Sequence, residues 1–374
     1  MRVIFTCGGT GGHINPAIAV AKILKERKPN SEILFVGADD GMETELVPRE
    51  GFAIETVHIS NYLRSLTPSA LWHNAKAVFI IRRALRRADR IIKEFQPDVI
   101  LGTGGYASYP ILRQGVKNGI PTALHEANAV PGLATRLVCD KVDKILVSFA
   151  ESRKEYKNAE RVIPVGMPVR EEFVFTKRED ARKALGLDDK PLIVSAWGSL
   201  GAREMNKKIA QFMKLESGED RYHHIHATGS FGWRWMPEYV KQQGVNLSAH
   251  PLIQMQEYIY NMPTVMAAAD LFISRAGAST LNEIAAAGTP AIIVPSPNVT
   301  NNHQEKNARI LEQRGAAVVL RECDCDGEVL YRTAKELLED RERCLKMRTA
   351  LREMAVIDSA ERIYRILVEM SKAQ

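Results

Sequence analysis

A histidine that follows the first glycine-rich stretch of the chain is a candidate for proton transfer. The stretch reads Thr6-Cys-Gly-Gly-Thr-Gly-Gly-His13 and lies between a predicted strand and a helix predicted to begin near Pro16. Glycines let the backbone approach a ligand closely, and an imidazole with an ordinary pKa of about 6.5 can accept a proton at neutral pH. We therefore interpret His13 as a candidate general base, while a lone histidine can also be purely structural.

A second glycine turn and a polar cluster come later in the same half of the chain. The turn is Leu101-Gly-Thr-Gly-Gly-Tyr106, and the cluster is His125-Glu-Ala-Asn-Ala-Val-Pro-Gly132. Both directly follow predicted strands, and residues beyond the carboxyl ends of parallel strands border the ligand crevice of open α/β sheets. The alternative for the cluster is a loop whose polar groups cap a helix. Glu126 is the second candidate for the general base.

The stretch 274–307 combines features that suit a sugar linked to a nucleoside diphosphate. It follows a short apolar run, passes a turn at Gly277 and opens an alanine-rich helix. The free N–H groups and positive end of such a helix suit a phosphate. Thr280 and Glu283 have the spacing of a capping box, but Glu283 could instead accept hydrogen bonds from ribose hydroxyls. An uncharged, amide-rich loop from Asn298 to Gln304 suits a neutral sugar.

Other classes of nucleotide-binding protein agree less well with the spacing of the glycines. The first turn only half matches a dinucleotide motif, because isoleucine stands where the last glycine belongs. An oxidoreductase or epimerase would bind its dinucleotide at Gly9–Gly12 and the ribose at Asp39 or Asp40. Such an enzyme would leave the second half of the chain unexplained. There, Ala196-Trp-Gly-Ser-Leu-Gly-Ala202 repeats the strand–glycine–helix pattern, and Ser199 could donate to a phosphate. The chain has no P-loop motif, which argues against a P-loop NTPase.

Alternating apolar runs and helical segments predict the framework that positions these residues. Short strands separated by helices are typical of parallel sheets covered on both faces. The predicted strands lie at 2–6, 32–36, 54–58, 98–101, 121–124, 144–147, 192–196, 223–227, 245–249, 271–273, 291–294 and 316–319. The periodicity breaks near 162–170, and the pattern becomes helical from about residue 342. The sequence therefore predicts an α/β protein with two domains.

Composition limits the remaining classes of function. The 374 residues are 45% hydrophobic, which suffices for two domains with sizeable cores. No apolar run approaches the roughly 18 residues of a membrane span, and a strand at Arg2 predicts no secretory signal sequence. Five cysteines without framework spacing indicate reduced thiols in the cytoplasm. The net charge of +6 suits an anionic partner, but no basic motif interleaved with aromatics supports a nucleic-acid-binding protein.

Two patterns could suggest a metal ion, and we interpret both as structural. Asp324-Cys-Asp326 has the D-x-D form of metal-dependent sugar-nucleotide transferases, but it lies in a polar turn, where capping roles are common. Three histidines lie close together at His223, His224 and His226, but the first two face opposite sides of a predicted strand. We therefore predict no metal site and no cofactor.

The motifs, taken in order, resemble those of one enzyme family. They read GGTGGHINP, GTGGYASYP, HEANAVPG, GSLGA, SRAGASTLNE and PSPNVTNNHQEKNA. The family is the N-acetylglucosaminyltransferases of peptidoglycan synthesis, which convert undecaprenyl-pyrophosphoryl-muramoyl-pentapeptide (lipid I) to the disaccharide intermediate (lipid II). The resemblance implies inverting, metal-independent transfer from UDP-N-acetylglucosamine to the muramoyl 4-hydroxyl.

The same resemblance implies a GT-B fold, with two Rossmann-like domains facing across a cleft. It implies an acceptor-binding, membrane-facing domain at 1–163 and a UDP-N-acetylglucosamine-binding domain at 164–341. A helical segment at 342–374 is expected to pack back on the first domain.

The family pattern also implies which positions contact the donor. These positions are Thr10, Gly11, Gly12, Asn128, Arg170, Ser199, Ile259, Ala278, Ser279, Thr280, Leu281, Asn282, Glu283 and Gln304. By this resemblance Ile259 lies beside the uracil, the segment 278–283 surrounds phosphate and ribose, and Gln304 contacts the sugar. The chain departs from the pattern at Met167, where asparagine is usual, at Ala196-Trp197, which replaces a glycine pair, and at Leu200, which replaces a glutamine.

A predicted helix at 69–95 has two contrasting faces. One is an apolar stripe suited to core packing, and the other, which we name the basic–aromatic face, consists of Trp72, Lys76, Phe79, Arg83, Arg86 and Arg90. Basic residues around exposed aromatics suit an anionic bilayer surface, whereas the alternative is that the aromatics pack under a loop. We predict peripheral attachment to the cytoplasmic face of the cell membrane through this face.

Overall fold

The chain forms two compact units, each built around one sheet. The computed structural model describes residues 1–59 and 68–372, and for residues 68–78 it describes the helix but not the side chains. Unit 1 comprises Met1–Val169 with Val356–Gln374, and unit 2 comprises Arg170–Ala355.

The sheet of unit 1 is parallel throughout the described residues. Its strands are β1 (Arg2–Thr6), β2 (Glu32–Ala38), β3 (Ala53–Val57), β4 (Val99–Gly102), β5 (Thr122–Glu126), β6 (Lys144–Val147) and β7 (Val162–Pro164). They lie in the order β3-β2-β1-β4-β5-β6-β7. The central strands are continuous apolar runs with fully buried side chains, as expected when helices cover both faces of a sheet. The strand order reverses between β1 and β4, so a crevice opens at the carboxyl ends of these two strands.

Helices connect successive strands of unit 1. In the described residues they are α1 (Gly11–Arg27), α2 (Glu43–Arg49), α3 (Pro68–Phe95), α4 (Ser108–Lys117) and α5 (Leu133–Val138). α1 begins five residues before the position predicted from Pro16, because Thr10 already has the extended conformation of an N-cap residue. As a result, His13 lies in the first turn of α1 rather than ahead of it.

Unit 2 repeats this plan with a smaller parallel sheet. The strands described there are β8 (Leu192–Ala196), β9 (His223–Ala227), β10 (Ile253–Gln256), β11 (Leu271–Ser274), β12 (Ala291–Ile293) and β13 (Val318–Val319). They lie in the order β10-β9-β8-β11-β12-β13. The order reverses between β8 and β11, which places the second crevice at the carboxyl ends of those strands.

The helices of unit 2 cover both faces of its sheet. They are α6 (Glu172–Phe175), α7 (Arg178–Ala184), α8 (Arg203–Glu216), α9 (Ser230–Trp233), α10 (Met236–Gln242), α11 (Met262–Ala268), α12 (Ala278–Ala287), α13 (His303–Gln313), α14 (Gly327–Glu339) and α15 (Arg341–Met354). The last helix, α16 (Ser359–Met370), belongs to unit 1. Its apolar side chains Ile363, Leu367 and Met370 join the core formed by α1 and β1.

One predicted strand is wrong. Residues 245–249 do not pair with the sheet, because the Asn246 side chain accepts a hydrogen bond from the Ser248 N–H at 3.2 Å and starts a short 3-10 turn. The strand comes a few residues later, at Ile253–Gln256, where it pairs with β9.

The boundaries of the units differ from those expected from the sequence, 163 and 341. The segment Val162–Pro164, expected to be part of a linker, is a strand that pairs with β6. At the other boundary α15 packs against α12 and α14, so it stays with unit 2. The chain therefore leaves unit 1 after Val169 and returns to it at Val356.

Candidate active site

Two glycine turns meet at the crevice of unit 1. One follows β1 and the other follows β4, and a Cβ atom at Gly105 would lie 2.3 Å from the carbonyl oxygen of Gly8. Gly105 also has a φ of +84°, a conformation that favours glycine. The two backbones can approach this closely only because Gly105 lacks a side chain.

His13 lies against these turns with one ring nitrogen engaged. Its Nδ1 is 3.0 Å from the carbonyl oxygen of Gly8, and its ring packs on Gly104, where a Cβ would lie 2.6 Å from Cδ2. Because a carbonyl oxygen only accepts hydrogen bonds, Nδ1 carries the proton and donates it. The lone pair of the neutral ring is then on Nε2. His13 is half-buried, and this geometry suits a base that takes a proton through Nε2.

Glu126 has a different environment from His13. It is buried, and its oxygens accept four hydrogen bonds: from the N–H and side-chain amide of Asn128, the Gly132 N–H and the Thr135 hydroxyl. These bonds span the loop between β5 and α5. Through these bonds the Glu126 carboxylate stabilises the conformation of this loop. The neighbouring His125 is also buried, and burial lowers its pKa, which keeps the ring neutral.

The crevice of unit 2 contains a cavity of about 450 Å³. It lies at the carboxyl ends of β8 and β11 and at the amino end of α12. The residues that line it are Ala196, Trp197, Gly198, Gly201, Ala202, Arg203, Glu204, Ser274, Arg275, Gly277, Thr280, Ser296, Asn298, Gln304 and Glu322. A pocket that joins a helix amino terminus, two guanidinium groups and several amides is suited to a phosphate-bearing polar ligand.

The capping-box interpretation of Thr280 and Glu283 is wrong. α12 begins at Ala278 with Gly277 as its N-cap residue, and no side chain caps it. Thr280 is therefore the third residue of the helix and Glu283 the sixth. The reason is that Gly277 already has the extended backbone of an N-cap residue, so the helix starts two residues before the threonine.

Glu283 is half-buried in the second turn of α12. Burial raises the pKa of its carboxyl to about 7, and the positive charge of Arg170 opposes that shift. A carboxyl whose pKa is shifted to near 7 is one of the signs of a binding or catalytic site. Arg170 itself is exposed and lies over the ring of Phe173, 5.1 Å from its centroid.

Gln304 is fixed by the backbone around the cavity. Its Oε1 accepts hydrogen bonds from the Ser296 N–H at 2.9 Å and the Ala276 N–H at 3.3 Å. The amide oxygen is thus committed to the protein, and the side-chain NH₂ is the group oriented to donate. The sequence placed this residue at the end of an amide-rich loop, whereas in the structure it is the second residue of α13.

The other predicted donor residues divide into exposed and buried groups. Thr10 and Ser199 are exposed on the glycine turns. Leu281 and Ile259 are buried, with Ile259 only 2% exposed, so a ligand could reach Ile259 mainly through its backbone. The remaining predicted positions lie on the same two edges: Gly11, Gly12 and Asn128 in unit 1, and Ala278, Ser279 and Asn282 on α12.

Comparisons with known proteins identify the family. The glycosyltransferase family 28 N-terminal domain matches residues 3–147, and the glycosyltransferase family 28 C-terminal domain matches residues 193–363. A protein of Thermoanaerobacter sp. (strain X514) is 42% identical over 98% of this chain and 99% of its own length. It is named UDP-N-acetylglucosamine--N-acetylmuramyl-(pentapeptide) pyrophosphoryl-undecaprenol N-acetylglucosamine transferase. The chain belongs to this transferase family.

Two further relatives agree with the assignment. A transferase of the same name from Acetivibrio thermocellus is 40% identical over 100% of this chain and 99% of its own length. A crystal structure of MurG from Acinetobacter baumannii matches with a TM-score of 0.77 at 26% identity, covering 98% of this chain and 99% of that chain. The chain is thus a glycosyltransferase of the hexosyltransferase class, and the expected fold of two Rossmann-like domains is confirmed.

The positions at which the transferase departs from its family pattern have different environments. Met167 and Trp197 are buried, and Trp197 packs in the core of unit 2 while also lining the cavity. Leu200 is 58% exposed. Met167 and Trp197 therefore add apolar contacts in the interior. Leu200 instead presents an apolar side chain at the surface of the glycine turn that follows β8.

Several residues of the sites were missed from the sequence. Arg275 and Glu322 form an ion pair of 2.5 Å at the wall of the cavity. Arg275 directly follows β11, which is a position that could have indicated a site residue. Glu322 lies far along the chain, and no local pattern connects it to Arg275. In unit 1, Glu43 was also missed. The structure shows that it is fully buried against the first glycine turn.

The two patterns that could suggest a metal have structural roles. Asp326 is the N-cap residue of α14 and accepts a hydrogen bond from the Val329 N–H at 2.8 Å. In β9, His224 and His226 are both within hydrogen-bonding distance of the Ser195 hydroxyl, at 2.8 and 2.7 Å. Among the described residues, no group of three or more His, Cys, Asp or Glu side chains could hold a metal ion.

The basic–aromatic face of the transferase can be followed only from residue 79. Phe79 is 62% exposed, and Arg83, Arg86 and Arg90 are exposed along the same helix. Trp72 and Lys76 lie outside the residues whose side chains are described. The opposite face of α3 is buried through Ala84, Ala88, Ile91 and Ile92. Within the described part of the chain, no helix has the length and apolarity that a membrane crossing requires.

Proposed function

We propose that this transferase moves N-acetylglucosamine from UDP-N-acetylglucosamine to the muramoyl 4-hydroxyl of undecaprenyl-pyrophosphoryl-N-acetylmuramoyl-pentapeptide, giving lipid II. The observation that carries the proposal is the similarity, at 42% identity over 98% of the chain, to a transferase named for this donor and acceptor. The glycine turns and the cavity described above provide the groups that such a reaction needs.

Unit 2 binds the donor in its cavity. The amino end of α12 supplies backbone N–H groups to the diphosphate, and Arg203 and Arg275 line the same cavity. Glu283, on the next turn of α12, accepts hydrogen bonds from the ribose hydroxyls. Gln304 donates through its NH₂ group to the sugar, since its oxygen is already held by the backbone.

His13 of unit 1 is the general base. Its Nε2 lone pair takes the proton of the muramoyl hydroxyl as that oxygen bonds to the anomeric carbon of the donor. The bond from the anomeric carbon to the β-phosphate oxygen breaks, and its electron pair leaves with UDP. This single displacement inverts the configuration at the anomeric carbon. Glu126 does not take the proton, because its four hydrogen bonds hold the loop after β5.

The negative charge that develops on UDP is stabilised by groups already in place before reaction. The N–H groups at the start of α12 have no partners within the helix, and they carry the positive end of its dipole. Preorganised donors of this kind stabilise a developing anion without reorganisation. We infer that they remove the need for a metal ion in the transfer step.

Unit 1 binds lipid I and lies at the cytoplasmic face of the membrane. Support comes from α3, where exposed Arg83, Arg86 and Arg90 accompany the exposed ring of Phe79. An aromatic side chain enters the headgroup region while arginines attract anionic lipids. Attachment by this face would bring the protein to an acceptor whose undecaprenyl chain is confined to the bilayer.

Ligand-induced stabilisation tests the donor assignment against other classes. UDP-N-acetylglucosamine at about 100 times its Kd should add about 2.7 kcal/mol to the free energy of unfolding and raise Tm accordingly. NAD and a short RNA should leave Tm unchanged. A Tm that rises with NAD or RNA but not with UDP-N-acetylglucosamine would point to an oxidoreductase or a nucleic-acid-binding protein instead.

A further inference from the structure

A buried carboxylate supports the glycine turn that precedes His13. Glu43, the first residue of α2, is fully buried. Three glycines surround it: a Cβ atom would lie 2.5 Å from the Glu43 side chain at Gly8, and 2.3 Å from it at Gly37 and at Gly41. These positions must lack side chains for the carboxylate to fit. The space for Glu43 is therefore built by two segments of unit 1, the turn after β1 and residues 37–41.

The carboxylate makes two hydrogen bonds with backbone N–H groups. Oε1 accepts from Ala38 at 2.7 Å, at the end of β2. Oε2 accepts from Gly9 at 3.1 Å. Gly9 has a φ of +85°, so its N–H points back to α2 only while the turn keeps a conformation that favours glycine.

The Gly9 N–H and the Gly8 carbonyl belong to the same peptide group. On one side of this group the N–H donates to the Glu43 carboxylate at 3.1 Å. On the other side the carbonyl oxygen accepts from His13 Nδ1 at 3.0 Å. A continuous chain of hydrogen bonds thus runs from a buried anion, through one peptide, to the proposed general base.

We propose that Glu43 is a positioning residue that acts on His13 through the Gly8–Gly9 peptide. This inference rests on the proposed function, in which His13 is the base. Hydrogen bonds in a chain polarise one another, so an N–H that donates to an anion makes the carbonyl of its own peptide a stronger acceptor. A stronger acceptor holds the proton on Nδ1, keeps the Nε2 lone pair available and stabilises the imidazolium formed when Nε2 takes the acceptor proton.

The other ionisable groups near this chain of hydrogen bonds cannot take the role of Glu43. Burial, and then the charge of Glu43, raise the pKa of the Cys7 thiol, so Cys7 remains neutral beside the carboxylate. His125 interacts electrostatically with both His13 and Glu126, but its own lowered pKa keeps it uncharged. Glu126 has both oxygens engaged by the loop after β5.

The test is a double-mutant cycle with Glu43→Gln and His13→Ala, measured as kcat and KM for transfer. Glu43→Gln keeps the size of the side chain but removes its charge. It should lower kcat by about 10-fold, because the Gly8 carbonyl becomes a weaker acceptor for His13, while KM for UDP-N-acetylglucosamine changes by less than about 2-fold. In the His13→Ala background the same substitution should have little further effect on kcat, because the base it acts on is gone.

Two additional variants separate this role from a loss of stability. Val47→Ala removes a fully buried side chain from the same helix, α2, and serves as the control for weakened packing. It should lower Tm but leave kcat near the wild-type value. If Glu43→Gln does not fold, Glu43→Asp replaces it in the cycle, since aspartate keeps the charge but reaches less far towards Gly9. Its kcat should lie between wild type and a 10-fold loss.

Each remaining outcome identifies which idea fails. If His13→Ala lowers kcat but the Glu43 variant does not, or if their effects multiply, the role of Glu43 is overturned while His13 remains the base. An equal loss of kcat in Val47→Ala would reduce Glu43 to a packing residue. If His13→Ala leaves kcat unchanged, the base assignment in the proposed function fails, and the inference about Glu43 fails with it.

Discussion

At the scale of single residues, the proposed mechanism depends most on one ring nitrogen. His13 holds its Nδ1 against the Gly8 carbonyl at 3.0 Å, which leaves Nε2 to take the acceptor proton. His13→Ala should therefore lower kcat by about 10²–10⁴-fold, with a much smaller change in the affinity for donor. Steady-state kinetics with both substrates varied would measure this.

The control for His13→Ala is another histidine of unit 1. His58 pairs with Asp39 at 2.8 Å and is exposed, so His58→Ala should leave kcat unchanged. A loss confined to KM in His13→Ala would make His13 a binding residue. Glu126 would then have to be reconsidered as the base despite its hydrogen bonds.

Glu283 gives a prediction about pH. Burial raises the pKa of its carboxyl to about 7, whereas an unfolded glutamate titrates at about 4.3. The unfolded chain therefore loses this proton first, and stability declines as pH rises from about 4.3 through about 7. Glu283→Gln should remove that decline, so its Tm should exceed that of wild type at pH 8 but differ little at pH 5.

The same substitution should weaken donor binding. An ionised Glu283 can accept from both ribose hydroxyls, so wild-type affinity for UDP-N-acetylglucosamine should increase between pH 6 and pH 8. Glu283→Gln should show no such increase and should bind about tenfold less tightly at pH 8, the loss expected for one charged hydrogen bond. Calorimetry would show both effects, with Glu238→Gln, at an exposed position of α10, as control. Unchanged affinity in Glu283→Gln would remove the ribose role.

The residues that could be predicted from the sequence are those whose neighbours in the chain reveal their role. His13 follows a glycine run, and Glu283 lies in a strand–glycine–helix segment. Glu43 and Glu322 could not be predicted, because their partners Gly9 and Arg275 are brought to them by tertiary structure. A buried acid looks like any surface acid in a sequence, and only the fold reveals the glycines that make room for it.

At the scale of elements, apolar periodicity predicted most strands, and local interactions explain the exceptions. Residues 245–249 have the composition of a strand, but Asn246 bonds to the Ser248 N–H and turns the backbone. The capping-box interpretation of Thr280 and Glu283 was wrong because Gly277, which precedes them, is already the N-cap residue of α12. Local competition of this kind changes an element's start without changing the fold.

The proposed attachment to the membrane can be tested on a single element, α3. Arg83→Glu/Arg86→Glu reverses two exposed charges on its basic–aromatic face. Because each basic residue near an anionic surface contributes about 1 kcal/mol, binding to phosphatidylglycerol vesicles should weaken at least about tenfold. Phe79→Ser should weaken it further by removing the exposed ring. Co-sedimentation at low and high salt would measure both.

The control for the α3 variants carries the same change of charge on unit 2. Lys214→Glu/Lys241→Glu reverses two exposed lysines of α8 and α10 and should leave vesicle binding close to wild type. Equal loss in this control would mean that total charge governs attachment. Undiminished binding by the Arg83/Arg86 and Phe79 variants would show that the basic–aromatic face is not the attachment surface.

At the scale of the whole molecule, the two units repeat one plan. In each, the strand order reverses beside a central strand, and glycine-rich turns occupy the crevice that results. The repeated strand–glycine–helix pattern made two α/β domains predictable from the sequence. The unit boundaries were less predictable, because β7 joins the first sheet and α15 stays with the second unit through contacts between distant segments.

The most direct test of the central claim is transfer of radiolabelled N-acetylglucosamine from UDP-N-acetylglucosamine to a lipid I analogue. The wild-type protein should label the lipid product at the same rate with and without EDTA, and His13→Ala should reduce that rate by about 10²–10⁴-fold. Label that stays in UDP-N-acetylglucosamine, that is released as free sugar, or that reaches the lipid only without EDTA would contradict the account.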